Sequence, residues 1–179
     1  MIEVRKERRP LAWRTLLVGG AALGLLALTS AADLPTRLVW NASASVPIGL
    51  YAVQPDGRYR PGVIVLVEPP EPLAAFLADG GYLPHGVPLL KRVEALPGAR
   101  VCRNGGTLTV DGQRRAEVRE RDRFGRPLPF WTGCVEVAEG QLFLLNADAP
   151  GSLDGRYFGP ISASSVVGRA APLFVRNGR

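Results

Sequence analysis

At 179 residues the chain has room for one domain and a small appendage, and 46% hydrophobic against 21% charged residues makes it globular rather than disordered. The formal charge of +6 is uneven, because residues 1–14 hold Arg5, Lys6, Arg8, Arg9 and Arg14 against only Glu3 and Glu7. The remainder has neither a run of like charge nor a basic face interleaved with aromatics, which excludes nucleic-acid binding from the expectations.

Residues 15–32 form an uncharged run of 18, rich in Leu, Ala and Gly. That length suits a membrane-spanning helix, and the arginine excess before it predicts a cytoplasmic N-terminus. A cleaved signal peptide is the rival, since Ser30, Ala31 and Ala32 suit a small-residue cleavage site, but the spanning length favours a retained anchor. The expected organisation is a basic cytoplasmic tail over 1–14, an anchor over 15–32 and a domain over 33–179 on the far side of the membrane. That compartment permits disulfides, so Cys102 and Cys134 are either bridged or two separate buried thiols.

The 21 Gly and 16 Pro favour short strands and loops over long helices. Residues 41–51 read Asn-Ala-Ser-Ala-Ser-Val-Pro-Ile-Gly-Leu-Tyr. Pro47 fixes φ and extends Val46, and Gly49 can take angles barred to other residues, so Ser43 and Ser45 sit in a stiffened turn. Next, residues 63–67 are an apolar β-branched run that reads as a buried strand. Residues 71–79 suit a short helix, with Pro72 in its first turn and Gly80 and Gly81 ending it. Residues 89–95 read as a strand that sets Lys91 among apolar neighbours. Residues 99–103 and 107–111 flank Asn104, Gly105 and Gly106, a hairpin signal. Residues 114–126, dense in both signs of charge, read as an exposed excursion. Another apolar strand follows over 141–145, then a loop over 146–160, and the last apolar segment, 166–175, is expected to close the sheet.

The chemistry is narrowed by what is scarce. His85 is the sole histidine and sits in a Pro/Gly-flanked loop without a partner carboxylate nearby in sequence, which argues against a histidine-based triad. One histidine and two cysteines 32 apart match no zinc spacing, and no cofactor is called for. Of 22 basic residues only Lys6 and Lys91 are lysines. Arginine stays protonated, whereas a lysine desolvated on an apolar strand can lose its proton near neutral pH and serve as a base for a serine.

Three boxes in order behind a basic, apolar N-terminal segment resemble the bacterial Ser-Lys signal peptidases, in particular the TraF-like enzymes of conjugative transfer. They are residues 41–51, residues 90–98 (Leu-Lys-Arg-Val-Glu-Ala-Leu-Pro-Gly) and residues 152–160 (Ser-Leu-Asp-Gly-Arg-Tyr-Phe-Gly-Pro). The resemblance implies a mainly β fold of antiparallel sheets, with one N-terminal transmembrane helix and a short helix or two. It implies Ser45 as nucleophile and Lys91 as general base, with Ser43 at the oxyanion hole beside the Ser45 N–H. It further implies that Ser152 orients the lysine and that Asp154 and Arg156 support the site. Pro47 lies two residues after Ser45, the TraF-like pattern, which leaves Ser43 as an alternative nucleophile; Gly155 stands where a serine is usual. The implied setting is the bacterial inner membrane, with a single pass, a periplasmic catalytic domain and membrane lipid beside it. The implied substrate is a membrane-tethered, pilin-like precursor, handled alongside a conjugation or type IV secretion apparatus and possibly cyclised. The alternatives are a peptidase for general exported preproteins and an inactive assembly component.

Overall fold

The structure is a computed structural model that describes residues 11–31, 38–55 and 57–176. The chain divides into two compact units, residues 1–35 and 36–179. In the first, Leu11–Ala31 forms helix α1. Trp13, Leu16, Leu17, Val18 and Leu23 are all exposed on it. Among the described residues, however, no helix is long and apolar enough to cross a membrane. The expected spanning helix over 15–32 is therefore not shown, although a helix occupies most of that stretch; residues 1–10 of the expected tail and residues 32–37 lie outside the described residues.

The second unit carries two antiparallel sheets. In chain order its elements are β1 (Leu38–Asn41), β2 (Ile48–Gln54), β3 (Ile64–Val67), α2 (Glu71–Asp79), β4 (Leu89–Ala95), β5 (Arg100–Asn104), β6 (Thr107–Val110) and β7 (Gln113–Glu117). There follow β8 (Gly133–Glu136), β9 (Gln141–Leu144), α3 (Gly155–Phe158), β10 (Ile161–Ser162), a 3₁₀ turn (Ala163–Ser165) and β11 (Val166–Arg176). Seven strands form one sheet in the order β1-β2-β11-β3-β4-β9-β10, and four form the other as β7-β6-β5-β8.

Apolar patterning accounts for the layers. Alternate residues of a strand face opposite sides, so Leu66 and Leu90 join Tyr51, Val53 and Ala170 in one cluster while Val65, Val67 and Val93 join Leu142 and Leu144 in another. The run at β9 is buried on both faces. Phe143 and Leu145 turn the other way, toward Val101, Leu108, Val137 and Tyr157, and so tie the large sheet to the small one. Fully burying one such Leu, Val or Phe side chain contributes roughly 1.5–3 kcal/mol. In the small sheet Cys102 stands opposite Cys134 across β5 and β8, and the two are joined in a disulfide.

The last apolar segment joins the large sheet as β11, between β2 and β3. Two expectations need correction. The loop over 146–160 contains α3, whose Tyr157 is packed into the core. The charged stretch over 114–126 is only partly an excursion, because β7 begins it and Ala116 and Val118 are buried. The serine turn also proves to be a connection between two strands, β1 and β2, that pair residue for residue from Leu38 opposite Ala52 to Asn41 opposite Gly49.

Candidate active site

The turn that carries the serines is organised by Asn41, the buried last residue of β1. Its Nδ2 donates to the carbonyls of Ser43 (2.8 Å), Val46 (3.0 Å) and Pro47 (3.0 Å). Its Oδ1 accepts from the Ser43 backbone N–H (3.1 Å) and the Ser43 hydroxyl (3.0 Å). Tyr51 Oη donates to the Pro47 carbonyl from beneath (2.6 Å), and Val46 is anchored in the core. Gly49 has φ of +151°, and a Cβ there would lie 2.1 Å from the Phe174 carbonyl oxygen, so only glycine lets β11 pass this close. The carbonyls of Ser43, Val46 and Pro47 are thus satisfied, and the hydroxyls of Ser43 and Ser45 lie together at 3.0 Å.

Lys91 approaches from β4. Val65 of β3 lies opposite it in the register, and Lys91 is only 5% exposed. Its ammonium donates to Ser152 Oγ at 2.9 Å. Burial is the main reason that its pKa falls from 10.5 to about 8; Asp154 works against the fall and Arg156 adds to it. The amine is therefore neutral in a sizeable fraction of molecules at mildly alkaline pH, as a general base must be.

Ser152, Asp154 and Arg156 come from the segment after β9, all buried. Asp154 caps α3 by accepting from the Arg156 backbone N–H. The Arg156 guanidinium grips both oxygens of Asp154, through Nε at 2.8 Å and an amino group at 3.1 Å, and also donates to the carbonyls of Asn146 (2.8 Å) and Ala149 (3.3 Å). Arginine suits this place because one fork serves a carboxylate and the carbonyls of Asn146, Ala149 and Glu117 at once. Gly155 is explained by close packing on β9: a Cβ there would sit 2.6 Å from the Leu144 carbonyl oxygen and 2.7 Å from the Phe143 ring.

Asn146 belongs to this arrangement and was not singled out in the sequence. Its Oδ1 accepts from the Arg92 N–H (3.0 Å) while its Nδ2 donates to the Leu90 carbonyl (3.4 Å), which holds β4 on both sides of Lys91. Its own N–H donates to Asp154 Oδ2 (3.1 Å). One buried asparagine thus links the lysine strand to the Asp154–Arg156 pair. The only signal available beforehand was its place directly after an apolar strand.

Two cavities meet at the serine turn. One, about 440 Å³, is lined by Ser43, Ser45, Lys91 and Ser152. The other, about 670 Å³, is lined by Ser45, Pro47, Arg92 and Asn146. Ser45 borders both, so a peptide laid across it has room on either side. His85 is elsewhere: exposed, with Nε2 at 3.2 Å from Glu71.

A β domain with serine hydroxyls and a desolvated lysine on one cavity has the makings of a serine-type hydrolase, and comparison with known proteins places it. Residues 11–175 match the family model for signal peptidase, peptidase S26, and the chain belongs to that family. Within it, the chain is related to conjugal transfer proteins. The Conjugal transfer protein TraF of Agrobacterium fabrum is 38% identical over 146 residues, covering 75% of this chain and 80% of that one. The Probable conjugal transfer protein TraF of Sinorhizobium fredii is 36% identical over 165 residues (83% and 86%), and the Plasmid transfer protein TraF of Escherichia coli is 28% identical over 163 (88% of each).

Proposed function

We propose that the chain is a membrane-anchored serine endopeptidase in which Ser45 attacks the scissile carbonyl and Lys91 takes its proton. The observation that carries this reading is the lysine: buried, held by Ser152, lowered to about 8 and lining the same cavity as Ser45. As substrate binds, Ser45 Oγ exchanges its contact with Ser43 for the carbonyl carbon and the neutral Lys91 amine accepts the proton. The Ser43 hydroxyl turns its proton from Asn41 Oδ1 and, with the Ser45 N–H, donates to the developing oxyanion, a type of contact worth about 3 kcal/mol or more in acyl transfer. The lysine next protonates the leaving amine. Water, or the amino terminus of the same product, resolves the acyl-enzyme.

The substrate we propose is a precursor tethered in the inner membrane, a pilin of a conjugation apparatus, with the domain on the periplasmic side and the helical N-terminal segment as anchor. Kinship with conjugal transfer proteins supports it, as do the exposed Leu and Val of α1. The test is processing of such a precursor, followed by mass spectrometry. Ser45→Ala and Lys91→Arg are expected to abolish it and Ser43→Ala to slow it, and a product lighter than the linear fragment by one water identifies cyclisation. Normal processing by Lys91→Arg, which keeps the charge but removes a usable base, would rule the dyad out.

A further inference from the structure

The segment after β7 forms one wall of the cavity that holds Ser45 and Lys91, and it sets Arg119, Arg121 and Arg123 there at alternate positions. Asp122 and Phe124 of the same segment line it too. All three are exposed, and none is in a salt bridge among the described residues. Arg121 donates to the Gly125 carbonyl (2.7 Å), and Arg123 lies 4.6 Å over the Phe124 ring. The nearby acids are otherwise engaged: Glu117 with Arg114 and Glu94 with Arg115. Glu120, on the intervening position, does not line the cavity.

Among the described residues, Asp122 is the only carboxylate in the lining, and it is spent. Its Oδ2 accepts from Arg126 Nε and Tyr82 Oη, both at 2.7 Å, and its Oδ1 from the N–H groups of Phe124 (2.8 Å) and Arg126 (2.9 Å). Three arginines that form no salt bridge among the described residues thus border the same cavity as Ser45. Guanidinium forks match carboxylates, and an open cationic wall with low-dielectric surroundings concentrates anionic ligands.

We propose that Arg119, Arg121 and Arg123 select precursors carrying Asp or Glu close to the scissile bond. A cavity of about 440 Å³ spans roughly 8 Å, about two to three residues of extended chain, so the acidic residue lies within three positions of the cleaved bond. This rests on the peptidase reading of the same site and adds the charge class of its substrate.

The experiment uses the full chain in an uncharged detergent and precursors that differ only by Glu, Gln or Lys at each of three positions either side of the bond. Cleavage by the wild type is measured alongside binding of matching fluorescent peptides to Ser45→Ala. At one or more positions, Glu is expected to exceed Gln by about tenfold in kcat/KM and affinity, Lys to fall below Gln, and the differences to shrink in high salt. Arg119→Glu combined with Arg123→Glu is expected to reverse the order to Lys over Glu; Arg121→Glu is the second variant should that pair fail to fold. Equal affinity for Glu and Lys peptides at every position would overturn the proposal. Preferential binding of Glu peptides with no cleavage of any precursor would leave it standing and remove the peptidase reading instead.

Discussion

Replacing Lys91 with Met tests the central physical claim without any substrate. The residue is 5% exposed and its pKa is displaced from 10.5 to about 8, so holding the ammonium in the fold costs roughly 3 kcal/mol. Below pH 8 the lysine is protonated in both states and that cost is fully present. Between about 8 and 10.5 the unfolded chain binds the extra proton, so stability climbs with pH, and above that window the cost is gone. Met has similar bulk and no charge. It removes the cost but leaves Ser152 Oγ without its donor, a loss of about 1 kcal/mol. Lys91→Met is therefore expected to be more stable than the wild type by about 2 kcal/mol at pH 7, with the gain vanishing toward pH 10. Denaturant unfolding of both proteins in detergent, at unit steps from pH 7 to 10 with the disulfide intact, gives the difference directly. Parallel pH curves, or a variant less stable at pH 7, would refute the argument that burial neutralises this lysine.

Further outcomes follow from the same geometry. Since the base must be neutral, kcat/KM is expected to rise with pH along an acidic limb with an apparent pKa near 8, and a limb near 6 would point to another base. Asn146→Ala removes the clamp on both sides of Lys91 and is expected to cost about 1–3 kcal/mol of stability together with a drop in kcat and a displaced acidic limb; loss of stability alone would make it merely structural. Gly155→Ser is expected to destabilise this chain by about 1–3 kcal/mol because a Cβ there meets the Leu144 carbonyl oxygen as well as the Phe143 ring, and Phe143→Leu is expected to recover only the part due to the ring in thermal melts.

How far the sequence disclosed this molecule depends on the range of the interactions. Strand β4 and helix α2 fall on the predicted residues 89–95 and 71–79, because apolar runs, prolines and glycine stops act within a few positions. The hairpin at Asn104, Gly105 and Gly106 was legible for the same reason. The charged stretch after β7 was misjudged as wholly exposed. Charges advertise solvent, and nothing local reveals that Ala116 and Val118 are buried between them or that three of the arginines line a cavity. Ser45, Lys91 and Ser152 could be named from boxes, and they do line one cavity. Asn146 could not, because its partners are backbone atoms 54 and 56 residues away, and a backbone atom leaves no mark in a sequence. The interior place of β11 is equally silent, since strand order is a matter of long-range pairing.

That interior place bears on when the molecule can act. The serine turn enters β2 and the lysine sits on β4, and between those strands lie β3 and the very last one, β11. The two halves of the site are thus joined through residues 166–176. Without that strand the serine and the lysine belong to separate pieces of sheet. On the proposed chemistry, the seating of β11 is therefore what brings nucleophile and base into one framework. A chain ending at residue 165 should accordingly be devoid of activity while retaining every side chain of the proposed chemistry.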